Sequence, residues 1–176
     1  MKVWCDPMEG KSLITKKYEL TNDTIVHNGR ILHRIRALKS FGNIMKGTLG
    51  GYVQSIGNLS QDGYCWLGPN AKIYDDAFIY GNVIIDGVVD ISGKAQILGY
   101  GHITDRVVIK DNVYIYGYIH ISGISNISSN VRVFGNTSIQ DAVIKDNVSL
   151  YGQNKIHGHF ILNGNAQISN LNIISV

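Results

Sequence analysis

The sequence contains little of what marks the specialised classes of protein. Proline and cysteine each occur 2 times in 176 residues, and no apolar run reaches the roughly 18 residues of a transmembrane helix. The N-terminal segment MKVWCDPMEGKSL lacks the apolar core of a signal peptide. Cys5 and Cys65 do not have the spacing of a metal site, and we interpret them as free thiols, with one disulfide as the alternative. These absences predict a cytoplasmic protein without a membrane partner.

Charged patches and catalytic signatures are lacking as well. The formal net charge is +3, and no cluster of Lys and Arg marks a surface for nucleic acid or lipid, so nucleic acid is not indicated as a partner. The chain has no nucleophile elbow, no phosphate-binding loop and no pair of catalytic carboxylates. We therefore expect no cofactor and no bound metal.

What the sequence does have is a strict period. An aliphatic residue returns every six residues, and the series slips by one residue near Gln140 to Ala142 before it resumes. The first series is Leu67, Ile73, Ile79, Ile85, Ile91, Ile97, Ile103, Ile109, Ile115, Ile121, Ile127, Val133 and Ile139, and the second is Ile144, Leu150, Ile156, Leu162, Ile168 and Ile174. A helix repeats about every 3.6 residues and a strand about every two, so neither element alone explains a period of six.

Each six-residue unit predicts a short strand followed by a corner. Two residues after each aliphatic position comes Gly or Asp in most units, and both tolerate the left-handed backbone of a tight turn. Three strands and three corners close a triangle, so eighteen residues form one coil, and coils stack as parallel strands about 4.8 Å apart. The predicted fold class is all-β, a single-stranded parallel β-helix shaped as a triangular prism of about six coils.

The two parts of the chain are expected to differ. Residues 1–66 do not hold the period, but Asn28-Gly29 within TIVHNGRILHRIRAL is a hairpin signal, and Val53 and Leu59 predict an irregular first coil. We assign residues 1–66 to a small β-hairpin cap with this first coil, and residues 67–176 to the β-helix. The last segment, LNIISV, shows no capping residues, which predicts that two C-terminal ends meet or that another partner covers this end.

The cap and the repeats together resemble a family of bacterial and phage-encoded hexapeptide-repeat proteins of largely unknown function. Its cap pattern, N-L-S-x-x-G-x-C-W, is present here as NLSQDGYCW, and its N-A-x-I-x-G repeats begin with NAKIYD. The resemblance covers nearly the whole chain and implies a left-handed coil. More distantly, the chain resembles the hexapeptide acyltransferases, which use acetyl-CoA and a histidine base at a groove between subunits. Because such proteins occur in phages, the resemblance also implies an inhibitor of a host defence system, such as an anti-CRISPR type role.

The histidines are the only candidates for catalysis. His102 and His120 are eighteen residues apart, so they are expected to stack on one outer face, where two imidazoles could share a proton or a metal. Their column contains no carboxylate, and a solvated ladder is the favoured interpretation. His157 and His159 flank a corner and are expected to be solvated too. We keep His102, His120 and His157 as weak candidates for the base of an acyltransferase. A prism without an inserted loop is expected to offer little concavity for a substrate.

One outer face is more informative, because apolar and aromatic residues recur on it once per coil. We predict an interface formed by Phe78, Tyr80, Leu98, Tyr100, Tyr114, Tyr116, Tyr118, Phe134 and Tyr151. Stacking of rings along the solenoid is one alternative, and coverage by residues 1–16 is another. The favoured interpretation is a non-catalytic scaffold protein that forms a homo-oligomer and binds a macromolecular partner, most simply a protein. The alternative is an acetyl-CoA-dependent hexapeptide acyltransferase.

Overall fold

A computed structural model describes residues 16–174, and all of its long elements are strands. The strands are β1 (Tyr18–His27), β2 (Arg30–Ala37), β3 (Leu49–Val53), β4 (Trp66–Leu67), β5 (Lys72–Ile73), β6 (Phe78–Ile85), β7 (Val88–Ile91), β8 (Gln96–Ile103), β9 (Arg106–Ile109), β10 (Tyr114–Ser122), β11 (Ile124–Ile127), β12 (Arg132–Ile144), β13 (Asn147–Leu162), β14 (Asn165–Ser169) and β15 (Asn172–Ile174). One turn of 3-10 helix spans Ile56–Asn58. Within the described range no helix is long and apolar enough to cross a membrane.

The predicted β-solenoid is confirmed by three parallel ladders that share one core. Aliphatic residues of the period pair with their equivalents in the next coil, and each ladder forms a column of seven, six of them buried and the last half-buried. The columns are Val53, Ile73, Ile91, Ile109, Ile127, Ile144 and Leu162; Leu59, Ile79, Ile97, Ile115, Val133, Leu150 and Ile168; and Leu67, Ile85, Ile103, Ile121, Ile139, Ile156 and Ile173. The prism is therefore filled by its aliphatic period.

The corners turn in the left-handed region of the backbone, as their Gly and Asp residues predict. Asp105 and Asp111 have φ of 67° and 69°, although most L-residues avoid positive φ. Their carboxylates also join successive coils, because Oδ2 of Asp105 accepts the N–H of Gly123 at 2.9 Å and Oδ2 of Asp111 accepts the N–H of Ser129 at 3.0 Å. Aspartate thus both permits the turn and bonds it to the next coil.

The slip between Gln140 and Ala142 is present, and a second one follows near the C-terminal end. Ile156 pairs with Ile173, so the corner after Ile168 is one residue shorter than the sequence period requires. The expectation that Ile174 continues the core series is wrong. Its side chain is 55% exposed, because the shorter corner shifts the strand and turns this residue outward.

A buried lysine holds the cap against the first coil. Lys17 is 1% exposed, and its Nζ donates to the carbonyl oxygens of Cys65 at 3.0 Å, Asp62 at 3.3 Å and Gly63 at 3.4 Å. It also lies 3.2 Å from the thiol of Cys65, which is a free cysteine. Burial lowers the pKa of Lys17 and raises the pKa of Cys65. The carbonyls of this loop therefore depend on one ammonium group for their hydrogen bonds.

The hairpin of β1 and β2 also reaches the side of the prism. Its turn, Asn28-Gly29, has positive φ at both residues, as a two-residue hairpin requires. At its tip Nε2 of His27 lies 2.5 Å from Oδ2 of Asp90, and the side chain of Asn28 donates to the hydroxyl of Tyr74 at 2.8 Å. The tip therefore bonds to side chains of two successive coils. Residues 1–15, which include Cys5 and the segment suggested to cover the aromatic face, lie outside the described residues.

Replacing Gly99 by alanine should destabilise the solenoid, since an added Cβ would lie 2.1 Å from the carbonyl oxygen of Gly117 and the residue has φ of +136°. We expect a loss of roughly 2–4 kcal/mol in the free energy of unfolding. Urea denaturation monitored by circular dichroism measures it. Gly57→Ala is the matched control, because its nearest contact would be an ordinary 3.5 Å. Equal stability of the two variants would contradict the described corner.

Candidate functional site

The predicted aromatic residues do lie in register on one face. The column that follows the core position of this face is Tyr80, Leu98, Tyr116, Phe134 and Tyr151, one residue per coil. We call this column the aromatic stripe. The preceding outward column contributes Phe78 and Tyr114, and the corner beyond the stripe contributes Tyr100 and Tyr118. Parallel pairing without offset therefore produces a continuous apolar band along the prism axis.

Stacking inside the stripe covers only part of each ring. Phe134 and Tyr151 stack with centroids 5.5 Å apart and planes only 3° apart. Even so, Tyr151 is 39% exposed, and Tyr116 in the same column is 54% exposed. Stacking along the solenoid is therefore real, as the alternative interpretation holds, but it leaves substantial aromatic surface in solvent. Apolar surface of this continuity is typical of contact surfaces.

Beyond the glycine corner, the next face carries an open groove of about 940 Å³. Outward residues on either side of one inward column form its walls, as the pleat of a strand dictates. One wall is Tyr100, Tyr118, Asn136 and Gln153; the other is His102, His120, Ser138, Lys155 and Asn172; between them lie Gly101, Ile119, Thr137, Asn154 and Leu171, with Asn170 at one end. The groove is open to solvent along its length and is a shallow depression, not an enclosed cavity.

The floor of the groove is the backbone of the inward column, whose side chains point into the prism, so the outward side chains alone form its relief. Gly101 stands where the previous coil has Val83 and contributes no side chain. Further along, the inward positions hold Thr137 and Asn154, whose side chains bond to each other at 3.3 Å. Three of these five positions therefore carry Gly or a polar residue, whereas Ile119 and Leu171 stay aliphatic. The signal for the groove in the sequence is the outward residues themselves, since Tyr100 and Tyr118, like His102 and His120, recur at a spacing of eighteen.

The groove has no acidic residue among its lining side chains. His102 and His120 pair in adjacent coils, as predicted, and the column continues through Ser138 to Lys155. Tyr100 and Tyr118 stack on the opposite wall with centroids 5.5 Å apart and planes 22° apart. The groove therefore combines an aromatic wall with a wall of hydrogen-bond donors and cations.

His157 adjoins this groove through a hydrogen bond that the sequence did not suggest. Its Nε2 lies 2.7 Å from Oγ of Ser138, because the two residues are diagonal neighbours on the outer side of paired strands. Burial lowers the pKa of His157, and the positive charges of Lys155 and His120 lower it further. At neutral pH the imidazole is therefore neutral and able to accept a proton. His159, the other predicted corner histidine, is exposed and does not line the groove.

Residues 16–174 contain no cluster of side chains that could bind a metal ion. No group of three or more His, Cys, Asp or Glu side chains lies close enough together there to hold an ion. The stacked pair His102 and His120 therefore has no third ligand of these types beside it. What the groove side chains can do is donate hydrogen bonds, supply positive charge and, at His157, accept a proton.

Comparison with known proteins gives one informative match. No family model matches the chain. Over 80 residues, which are 45% of this chain, it is 32% identical to a protein described as uncharacterized acetyltransferase YdcK from Escherichia coli (strain K12). The repeats, the solenoid and this match fit a hexapeptide-repeat left-handed β-helix family that is distantly like the acyltransferases. The match spans 23% of the length of YdcK, so most of that protein lies outside the aligned region.

The lowered pKa of His157 can be tested by NMR titration. We expect its imidazole to titrate below the ordinary histidine value, and Lys155→Gln to raise the midpoint because one nearby positive charge is lost. The unfolded chain, in which His157 has its ordinary pKa, binds a proton on this imidazole more tightly than the folded protein does. Lowering the pH through that ordinary pKa should therefore reduce the free energy of unfolding. Lys110→Gln, an exposed substitution on another face, is the control. A midpoint that does not move in Lys155→Gln would contradict the described contact.

Proposed function

We propose that this protein is a non-catalytic scaffold that self-associates through its aromatic stripe and presents its remaining faces to a macromolecular partner. The observation that carries the proposal is the in-register apolar column from Tyr80 to Tyr151, in which four of the five side chains are aromatic and Tyr80, Tyr116 and Tyr151 are exposed. Aromatic side chains contribute large buried areas to interfaces and lose little conformational freedom on binding.

The rigidity of the surface supports this proposal. Each residue of the aromatic stripe belongs to a strand that pairs with at least one neighbouring strand. The aliphatic core behind these strands is largely buried. A preorganised surface loses less entropy on association than a flexible one. Because the column repeats once per coil, two copies of the protein can meet stripe to stripe with similar contacts in each coil. This repetition favours a symmetric contact between two stripes.

The identity of the further partner rests on sequence resemblance. Because similar hexapeptide-repeat proteins occur in phages, we propose a protein of a host defence system as that partner. We place this association in the cytoplasm, where the thiol of Cys65 would stay reduced. Neither step is needed for the self-association, which is tested separately.

Sedimentation velocity tests the proposal directly. The wild type should sediment above its monomer mass of 19.4 kDa, and Tyr80→Ser combined with Tyr116→Ser should return it to that mass. Both side chains are largely exposed, so the variant should keep its β circular dichroism. The loss has a physical cause, since removal of two rings deletes apolar area that only the assembly buries.

The matched control removes exposed apolar area from another face. Val88 and Ile124 are 56% and 68% exposed and belong to one column, so Val88→Ser combined with Ile124→Ser should leave the mass of the assembly unchanged. A wild type that sediments at 19.4 kDa, or a stripe variant that keeps the wild-type mass, would remove the basis of the proposal.

A second candidate function is acyl transfer from acetyl-CoA. It is favoured by the match to YdcK and by His157, which adjoins the groove through its contact with the lining residue Ser138. In such a reaction the imidazole would take a proton from the acceptor, whose oxygen or nitrogen then attacks the thioester carbonyl and releases CoA as the thiol. His102 and His120 line the same groove and are alternative bases.

Thermal shift with acetyl-CoA separates the two candidates. The scaffold proposal predicts no change in Tm at millimolar acetyl-CoA and no release of CoA thiol. The acyltransferase candidate predicts stabilisation, since a ligand that binds only the folded state raises Tm as its concentration exceeds its Kd. His157→Gln should then abolish thiol release, whereas His159→Gln, an exposed neighbour, should not. Stabilisation together with thiol release would replace the scaffold proposal by the enzyme.

A further inference from the structure

We propose that the groove between Tyr100 and Lys155 binds an acidic sugar polymer. This inference goes beyond the scaffold function and does not depend on self-association, because the groove lies on the face next to the stripe. Four features carry it: an aromatic wall, a wall with cationic side chains, an abundance of neutral hydrogen-bonding groups, and a shape that follows the prism axis.

The aromatic wall provides a platform for sugar rings. Tyr100 and Tyr118 are 52% and 64% exposed, and their planes are within 22° of each other. The face of an aromatic ring carries partial negative charge, and the C–H groups on one side of a pyranose are partially positive. Because the two rings stack on each other, the pair offers one shared apolar surface with two hydroxyls, against which a sugar unit can pack.

Neutral hydrogen-bonding groups extend the same wall. Asn136 and Gln153 continue the column of the tyrosines, and both side chains are exposed. Asn172 and Ser138 face them from the other wall. An amide offers both donors and an acceptor, which suits the hydroxyls of a sugar, where donor and acceptor roles alternate.

The charge of the groove selects an acidic polymer. Lys155, His102 and His120 place basic side chains on one wall, and no lining side chain is acidic. A carboxylate or sulfate on the sugar would be attracted to this wall, while a neutral sugar would gain nothing from it. The same surface is poor for single-stranded nucleic acid, which needs a groove of several Lys and Arg side chains along its phosphates.

The shape of the groove suits a repeating ligand. Its lining residues come from five successive coils, which rise about 4.8 Å each, a distance comparable to one pyranose unit. Each wall presents one side chain per coil at this spacing. A polymer of sugars laid along the axis would therefore meet a new pair of side chains with each unit.

Isothermal titration calorimetry of the full chain tests the inference with four probes. They are a galacturonate hexamer, a heparin hexasaccharide, neutral cellohexaose and a dT12 oligonucleotide. We expect one or both acidic oligosaccharides to bind, and Lys155→Gln and Tyr118→Ala each to weaken that binding about tenfold. The controls Lys110→Gln and Tyr64→Ala, exposed residues of the same types outside the groove, should leave the Kd within about twofold.

Each outcome of the titration either supports or overturns the inference that the groove binds an acidic sugar polymer. Binding of an acidic oligosaccharide that both groove variants weaken supports the inference, and Lys155→Gln guards against a folding defect because its side chain is exposed. No binding of either acidic probe, equal binding of cellohexaose, or binding of dT12 alone would overturn it. Failure here leaves the sedimentation result untouched, since that test uses different residues and a different readout.

Discussion

The left-handed turn at each corner is the constraint on which the rest of this molecule depends. A corner residue with positive φ, such as Asp105, ends one short strand and starts the next in a new direction. If one corner opened, the coil above it would lose its pairing with the coil below. The aspartates reduce that risk, because a carboxylate such as that of Asp111 accepts an N–H from the next coil. The corner residues therefore turn the chain and also hydrogen-bond one coil to the next.

Exact stacking makes the outer surface as repetitive as the core. In a parallel ladder without offset, a side chain lies directly above its equivalent one coil below, about 4.8 Å away. One aromatic or aliphatic residue per coil therefore becomes a stripe, and histidines in two adjacent coils become the pair His102 and His120. Surface chemistry on such a scaffold is organised in columns, and a ligand or partner that is itself extended or repetitive matches it best.

Residue spacing predicted most of this architecture. The isoleucine period placed the core, and counting eighteen residues placed Tyr80, Leu98 and Tyr116 in one column, as the pairing shows. Spacing places residues in columns, but it does not give the reach of a side chain or a contact outside the repeat. His157 bonds diagonally to Ser138 in the neighbouring outward column, and Lys17 attaches to Cys65 within the non-repetitive cap. The groove lies between two outward columns, and its relief depends on how far side chains such as Tyr118 and Lys155 extend.

Tyr100 and Tyr118 belong to both candidate surfaces, since they border the aromatic stripe and form a wall of the groove. An assembly that buries only the Tyr80 to Tyr151 column leaves the groove open, and each protomer then presents it independently. An assembly that also covers the corner closes one wall, and sugar binding would then compete with self-association. The two tyrosines stack on each other and are more than half exposed, so either arrangement finds them preformed. Which one operates depends on how far the contact extends past the glycine corner, because that corner is where the apolar face gives way to the polar one.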